Sequence, residues 1–260
     1  MLQRLNFPSA QSWAQAVNQA GASVSAQRLA AIDGLINQLK SAGLWPLLAD
    51  LWMLKGAENM VQALVSLKRR LPGIAVNAPL LQATGVKFDG VASYIDTGFI
   101  AATHGLDVGM TVNNCRIAAR EAVDLAANAY TLGTFSGSGR SLSIKAHNAP
   151  TTAAVEASGG AGGVATLITQ SSASVIGASR TGPTTLIARQ DGQPLSVTPH
   201  STWATALPNV SLWFGGRNNA GALNVPKACT LAYASVGAAM TDAQALSEAQ
   251  IVNTFLAGPG

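Results

Sequence analysis

Beyond residue 72, apolar residues return at every second position, which constrains this chain more than any other feature. Val108, Met110 and Val112 alternate in this way, as do Leu142 and Ile144, then Val210, Leu212 and Phe214, then Cys229, Leu231 and Tyr233. Such a period of two places alternate side chains on opposite faces of a strand. Asp191-Gly192 separates Thr185–Arg189 from Leu195–Val197 and is the strongest hairpin signal, because a two-residue turn needs φ > 0 at its centre. Phe135-Ser-Gly-Ser-Gly139 and Gly215-Gly216 mark further turns. Many short strands with frequent turns specify an antiparallel sandwich or barrel. The alternation lapses once, at 117–127, which reads as a helix. Gly159-Gly160-Ala161-Gly162-Gly163 reads as a loop tip; it has neither the G-x-G-x-x-G pattern nor the long following helix of a dinucleotide site.

Both ends of the chain read differently. A short helix is expected over 12–19. Ser25 is placed to cap a second helix, with Leu29, Ile32, Ile36 and Leu39 at helical spacing and Gly43 stopping it. Pro46 fits the first turn of a third, carrying Leu47, Leu48, Leu51, Trp52 and Leu54. A fourth is expected over 57–70, with Met60, Leu64 and Leu67 on one face and Pro72-Gly73 ending it. Lys68-Arg69-Arg70 would then complement the negative end of that helix dipole. At the other end, Thr241-Asp-Ala-Gln244 is a capping box before the stripe Leu246, Ala249, Val252, Phe255 and Leu256. The organisation expected is a helical docking segment over 1–75 and a β-sandwich with a C-terminal helix over 76–260.

Composition narrows the function classes. The chain has 260 residues, enough for a real core, and 48% are hydrophobic, which excludes a disordered chain. Charged residues make up 11%, against about 25% in ordinary soluble domains. That poverty of charge suits a structural protein within a larger assembly. The net charge is +4, but the basic residues are scattered without a basic, aromatic-laced stripe, so no nucleic-acid partner is expected. No apolar run reaches the roughly 18 residues of a membrane span, and residues 1–8 lack the apolar stretch of a signal peptide. The expectation is synthesis in a cytoplasm without general secretory export, and no membrane partner. Cys115 and Cys229 lie far apart without a C-x-x-C pair, so they read as buried thiols, a disulfide between them being left open.

Four ordered stretches carry a family resemblance. They are Trp13–Val17 leading into Ala31–Trp45; Phe88-Asp-Gly90 followed by Tyr94-Ile-Asp-Thr-Gly98; Phe214-Gly-Gly-Arg-Asn-Asn219; and Leu231–Gly237 followed by Met240–Gln244. Together they resemble tailed-bacteriophage virion proteins in which a helical segment precedes a jelly roll like those of concanavalin A and laminin-G domains. The resemblance implies a mainly β fold, an antiparallel concanavalin A-like jelly-roll sandwich preceded by a small helical segment and closed by a helix. It also implies a non-enzymatic virion protein of tail fibres or the capsid surface. Its partners would be other virion proteins and copies of itself, a trimer by analogy with fibre symmetry, with a host-surface glycan as ligand. Head-fibre or capsid decoration and a free-standing lectin-like module are the alternatives.

The residues themselves offer little for catalysis. A glycosidase needs two carboxylates about 5–10 Å apart, yet only Glu156 and Asp191 lie between 125 and 241, and Asp191 belongs to the turn. The tight E-x-D-x-x-E of sandwich glycosidases is missing. His104, His147 and His200 read as surface histidines without a nucleophile elbow. Asp89 and Asp96 are the candidate calcium oxygens, but turns before Gly90 and Gly98 explain both, so no metal and no cofactor are expected. Glycan binding needs an aromatic face and amide or guanidinium donors; Trp203, Trp213, Arg217, Asn218 and Asn219 are the candidates. Trp213 is out of phase with Leu212 and Phe214 and faces the other side of its strand, where the N-terminal helices, a partner subunit or a ligand would cover it. Arg217-Asn-Asn219 otherwise reads as a turn whose side chains bond loop carbonyls.

Overall fold

A computed structural model describes residues 9–123, 125–158, 163–168, 171–198 and 203–258. The elements up to the middle of the chain are α1 (Ala10–Gln19), α2 (Ala26–Ser41), β1 (Leu48–Met53), α3 (Met60–Leu64), β2 (Ile74–Val76), β3 (Leu80–Gln82), β4 (Gly85–Lys87), β5 (Tyr94–Ile100), α4 (Ala101–His104), β6 (Cys115–Glu121), β7 (Leu132–Phe135) and β8 (Ser141–Ala149). There follow β9 (Thr152–Ala157), β10 (Gly163–Thr166), β11 (Ile176–Arg180), β12 (Leu186–Gln190), β13 (Gln193–Pro194), β14 (Val197–Thr198), β15 (Ser211–Phe214), β16 (Arg217–Asn219), β17 (Ala222–Asn224), β18 (Thr230–Gly237) and α5 (Asp242–Ala257).

The strands form two sheets. The first runs β13-β12-β11-β6-β18-β4-β3, with β1 also paired to β18; the second runs β14-β10-β9-β8-β7-β15-β5-β2, with the β16–β17 hairpin joined to β7. Every strand pairing among the described residues is antiparallel except β16 with β7. The protein is a mainly β antiparallel sandwich with N-terminal helices and a closing helix, as the alternation requires. Between the sheets lie Ile117, Leu132, Ile144, Val155 and Leu231, with the Trp52 ring edge-on to Phe214 (centroids 5.2 Å apart) and to Phe99 (6.2 Å). A second core joins α1, α2 and α5 to the outer side of the first sheet through Trp13, Ile32, Ile36, Leu51, Tyr233 and Val252.

The cap signals are realised. Ser25 accepts from the Arg28 N–H, and Thr241 and Gln244 form the reciprocal box of α5. Asp191 (φ 48°) and Gly192 (φ 82°) make the β12–β13 turn. Buried charge fixes α5: Arg116 of β6 pairs with Glu248, whose Oε1 also accepts the Tyr233 hydroxyl at 2.7 Å, all three side chains being buried.

Four expectations about elements fail. Residues 48–53 form a strand instead of a helix: Trp52 faces the inter-sheet core and Leu51 and Met53 face the helices, so burial on both sides erases the period. Residues 115–121 likewise form a strand, central and almost wholly buried. The helix over 57–70 ends at Leu64, because β1 claims the following amides: Leu67 N–H donates to Leu51 O at 2.8 Å and Arg69 N–H to Asp50 Oδ1 at 3.3 Å. The Lys68–Arg70 run therefore lies in a loop and does not serve a helix dipole. Lys68 donates to Trp45 O at 2.8 Å and also to Leu48 O, and Arg69 pairs with Asp107 at 2.7 Å. The alternation at Val108–Val112 is a 3₁₀ turn and loop, and no strand. Of the Gly159–Gly163 loop tip, 159–162 lie outside the described residues, as does His200.

Candidate functional site on the outer face of the second sheet

The helices α1, α2 and α5 pack on the first sheet, which leaves the outer face of the second sheet as the face without a helical layer from them. Strand alternation sends Ile95, Thr97, Phe99, Leu212, Phe214, Leu132, Leu142, Ile144 and Val155 inward. Their neighbours point outward. Cross-strand register then lines up Asp96, Trp213, Gly133, Ser143 and Glu156 in one row across five strands.

Trp213 faces outward, as its phase predicts, and it is covered, leaving 6% exposed. The cover is Tyr94, stacked on it at 4.1 Å and 20°, and not the N-terminal helices. The indole N–H donates to Ser211 Oγ at 3.1 Å. Arg217 lies beside Trp213, because both residues pair with Gly133. A Cβ at Gly133 would stand 2.4 Å from Ser143 Cβ and 3.2 Å from Arg217 Cγ, so glycine creates the bed in which Arg217 lies. The guanidinium sits between two rings, 4.3 Å from Tyr130 and 4.9 Å from Phe135. It donates to Asn224 Oδ1 at 2.9 Å and to Glu156 Oε2 at 3.3 Å.

Glu156 is buried beneath this layer and accepts the hydroxyls of Ser141, Ser143 and Tyr130. Burial and then the Glu156 charge push the Tyr130 phenol well above its usual range, so it stays a donor. Lys145 adds a second cation to Tyr130, its Nζ 4.6 Å from the ring centroid and bonded to Asn128; burial lowers its pKa. The face thus presents the partly exposed rings of Tyr94 and Phe135, backed by the buried Trp213 and Tyr130, a cationic rung and the amides of Asn128 and Asn224.

The other candidates divide. Asn219 is two residues along β16 from Arg217 and pairs with Phe135, on the same face. Asn218 points the opposite way: it is buried, donates to Ser211 O at 2.8 Å and accepts from Gly221 N–H at 2.7 Å, bonding backbone from strand β16 and not from the turn expected over 217–219. Trp203 belongs to the margin between the sheets, its ring 4.9 Å from the guanidinium of Arg180 in β11. Asp89 accepts three backbone N–H groups, from Val91, Ala92 and Ser93, which hold its carboxyl far below the usual range. Asp96 accepts from Gly98 N–H at 2.9 Å. Each carboxylate serves its own turn. Cys115 and Cys229 are free and buried. His147 is buried in β8 and is not a surface residue, and His104 Nδ1 accepts from Ile100 N–H at 3.0 Å. Tyr94, Tyr130, Phe135, Lys145 and Gly133 were not among the sequence candidates, and Glu156 entered only as a carboxylate too isolated for hydrolysis. Outward phase alone marks Lys145, and nothing local marks the rest.

No family model matches the chain and no curated protein matches it. Solved structures do. A mutant of Trypanosoma rangeli sialidase displaying trans-sialidase activity superposes with a TM-score of 0.54 at 14% identity, covering 90% of this chain and 40% of that one. Trypanosoma rangeli sialidase in complex with the inhibitor DANA gives 0.51 at 13%, covering 85% and 38%. This chain therefore spans about two fifths of the length of those sialidases. At such identity the likeness is one of fold: a β-sandwich shared with parts of glycoside-processing chains.

Proposed function

We propose that this chain is a non-enzymatic component of a bacteriophage particle whose sandwich holds a host-surface glycan on the outer face of its second sheet. The observation that carries the glycan reading is the asymmetry of the sandwich. One sheet is roofed by helices, while the other carries Tyr94 on Trp213 and the Phe135–Arg217–Tyr130–Lys145 ladder. Ring edges flanked by amide and cationic donors suit a polyhydroxylated ligand. The virion setting, as tail fibre or surface fibre with other virion proteins and a trimer of itself as partners, rests on the ordered sequence resemblance and on the scarcity of charge.

The non-enzymatic reading has geometric support on this face. Asp96 and Glu156 are four strand spacings apart in one row, about 19 Å, well beyond the roughly 5–10 Å that glycoside hydrolysis needs. Glu156 is moreover committed to Arg217 and three hydroxyls. The test is binding of the full chain to an array of bacterial surface polysaccharides, with Tyr94→Ala and Arg217→Ala as variants. Retained binding by both would refute the face. Release of reducing ends from a bound polysaccharide would refute the non-enzymatic reading, and absence of the chain's peptides from purified particles would refute the virion setting.

A further inference from the structure

Helices roof one sheet and the aromatic face occupies the other, which leaves the margin where both sheets end. β3 closes the first sheet and β2 the second, and among the described residues neither strand has a neighbour on its outer side. Residues 77–79 join the two strands.

Three observations mark this margin as a contact surface. First, it is apolar. Val91, in the loop between β4 and β5, is 76% exposed, the most of any large aliphatic side chain among the described residues, with Ile74 of β2 at 66% and Leu80 of β3 at 60%. Beside the Val91 loop lies an open depression of about 440 Å³, around which Ala78, Leu80, Lys87 and Asp89 are exposed. Exposed apolar surface with a polar rim is the mark of an interaction site. Second, the margin is strained. Asn77 (φ 53°) and Ala78 (φ 49°) both take left-handed backbone, and Ala78 does so directly before Pro79, whose ring favours an extended residue there. Asn77 Nδ2 donates to Ala92 O at 3.1 Å, which ties this turn to the Val91 loop. Backbone strain held in place by its surroundings gathers where a surface has a task.

Third, the charges call for a partner of both signs. Lys87 and Asp89 stand two residues apart, and neither has an ion-pair partner among the described residues. The three N–H groups on Asp89 Oδ1 keep it ionised. A polyanion or an anionic surface drawn to Lys87 would be repelled by Asp89. A second copy of this chain brings an acid for Lys87, a base for Asp89 and a projecting valine for the depression.

We infer that this margin docks on the same margin of a second copy, with Val91 of each copy entering the depression of the other and Lys87 facing Asp89 across the contact. Such a contact gives a surface to the self-association proposed above, and rests on that part of the reading alone.

The experiment is sedimentation equilibrium of the full chain from about 1 to 200 µM, against a Kd expected near 10–100 µM. The expected result is a weight-average mass that rises with concentration above that of one chain, and rises less when NaCl is raised from about 50 to 500 mM. Val91→Glu and Lys87→Glu change exposed side chains, so each should leave the melting temperature unchanged and weaken association at least about tenfold. Adding Asp89→Asn to Lys87→Glu removes the like-charge contact and keeps the Oδ1 acceptor, so the double variant should regain at least about threefold. Arg217→Ala, on the aromatic face, should associate as the parent does. The proposal is overturned if the chain stays monomeric at about 200 µM, or if it associates and both glutamate variants associate equally well. Monomers would also end the self-association proposed above, leaving the glycan face and the virion setting to their own assays; unchanged variants would remove this surface alone.

Discussion

Replacing Lys227 with methionine should be among the most damaging single changes in this protein, although it lies far from any surface. Lys227 Nζ is 2.8 Å from Glu121 Oε1, and both side chains are fully buried. Glu121 belongs to β6 in the first sheet, and its Oε1 also accepts the Thr131 hydroxyl at 2.6 Å, just before β7 of the second. The cluster therefore ties the two sheets together below the Arg217 face. Methionine matches lysine in length but leaves a carboxylate in the dry core with only the neutral Thr131 hydroxyl and Cys229 thiol as donors to it. Stranding one member of a buried pair costs about 3–5 kcal/mol, a large share of a total stability of about 5–15 kcal/mol. At a urea slope of about 2–3 kcal/mol per molar, the midpoint should fall by roughly 1–2.5 M, read by fluorescence of the core indole Trp52. Adding Glu121→Gln removes the stranded charge and keeps an acceptor for Thr131, so the double variant should recover at least about 2 kcal/mol. A single variant within about 1 kcal/mol of the parent, or a double no more stable than the single, would refute the account of the pair as a charge held by its partner.

Other expectations follow from the same packing. Gly34 in α2 has open space where a Cβ would stand, so Gly34→Ala should stabilise by about 1 kcal/mol, whereas Gly133→Ala forces Ser143 or Arg217 aside and should cost about 1–3 kcal/mol and weaken any ligand held on that face; urea melts and the array check both. Burial raises the Asp50 carboxyl from 3.8 to about 6. Folding thus takes up a proton, and that stabilisation is complete below about pH 4 and lost as pH rises through 6; the total is about 3 kcal/mol, and Asp50→Asn should flatten this part of a stability–pH profile. Burial pushes the Cys115 thiol up to about 12 and Cys229 well above its usual value, so neither should react with iodoacetamide in the native protein, while both react in urea. Reductant should not change the melting temperature: Leu231 pairs with Glu121 and Gly237 with Arg116, which sets the two cysteines roughly 25 Å apart along the β6–β18 ladder, too far for a disulfide.

What was legible in the sequence was whatever is decided within a few residues. Ser25, Thr241 with Gln244, and Asp191-Gly192 bond or turn locally, and each stands in the structure where its pattern put it. The two helices that turned out to be strands share one physical cause. β1 and β6 are buried on both faces, the first between the helical layer and the inter-sheet core, so their apolar residues carry no period from which to tell strand from helix. The site divides in the same way. The outward phase of Trp213 depends on its own strand and was readable; its cover depends on β5, more than a hundred residues earlier, through the pairing of Trp213 with Asp96. Arg217 read as a turn residue because nothing near it in sequence shows Gly133 clearing its bed or Glu156 waiting beneath. With so few charges in the chain, the buried ones are the informative exceptions: Glu156, Glu121 and Glu248 each sit where two or three distant strands or a helix must meet, and each is satisfied by a basic partner that only the fold brings to it. A charge buried in this way costs more than an apolar residue unless its partner arrives, so the partner's geometry is what the folded state enforces. On the second sheet that enforced partner is Arg217, and the aromatic face is built around it.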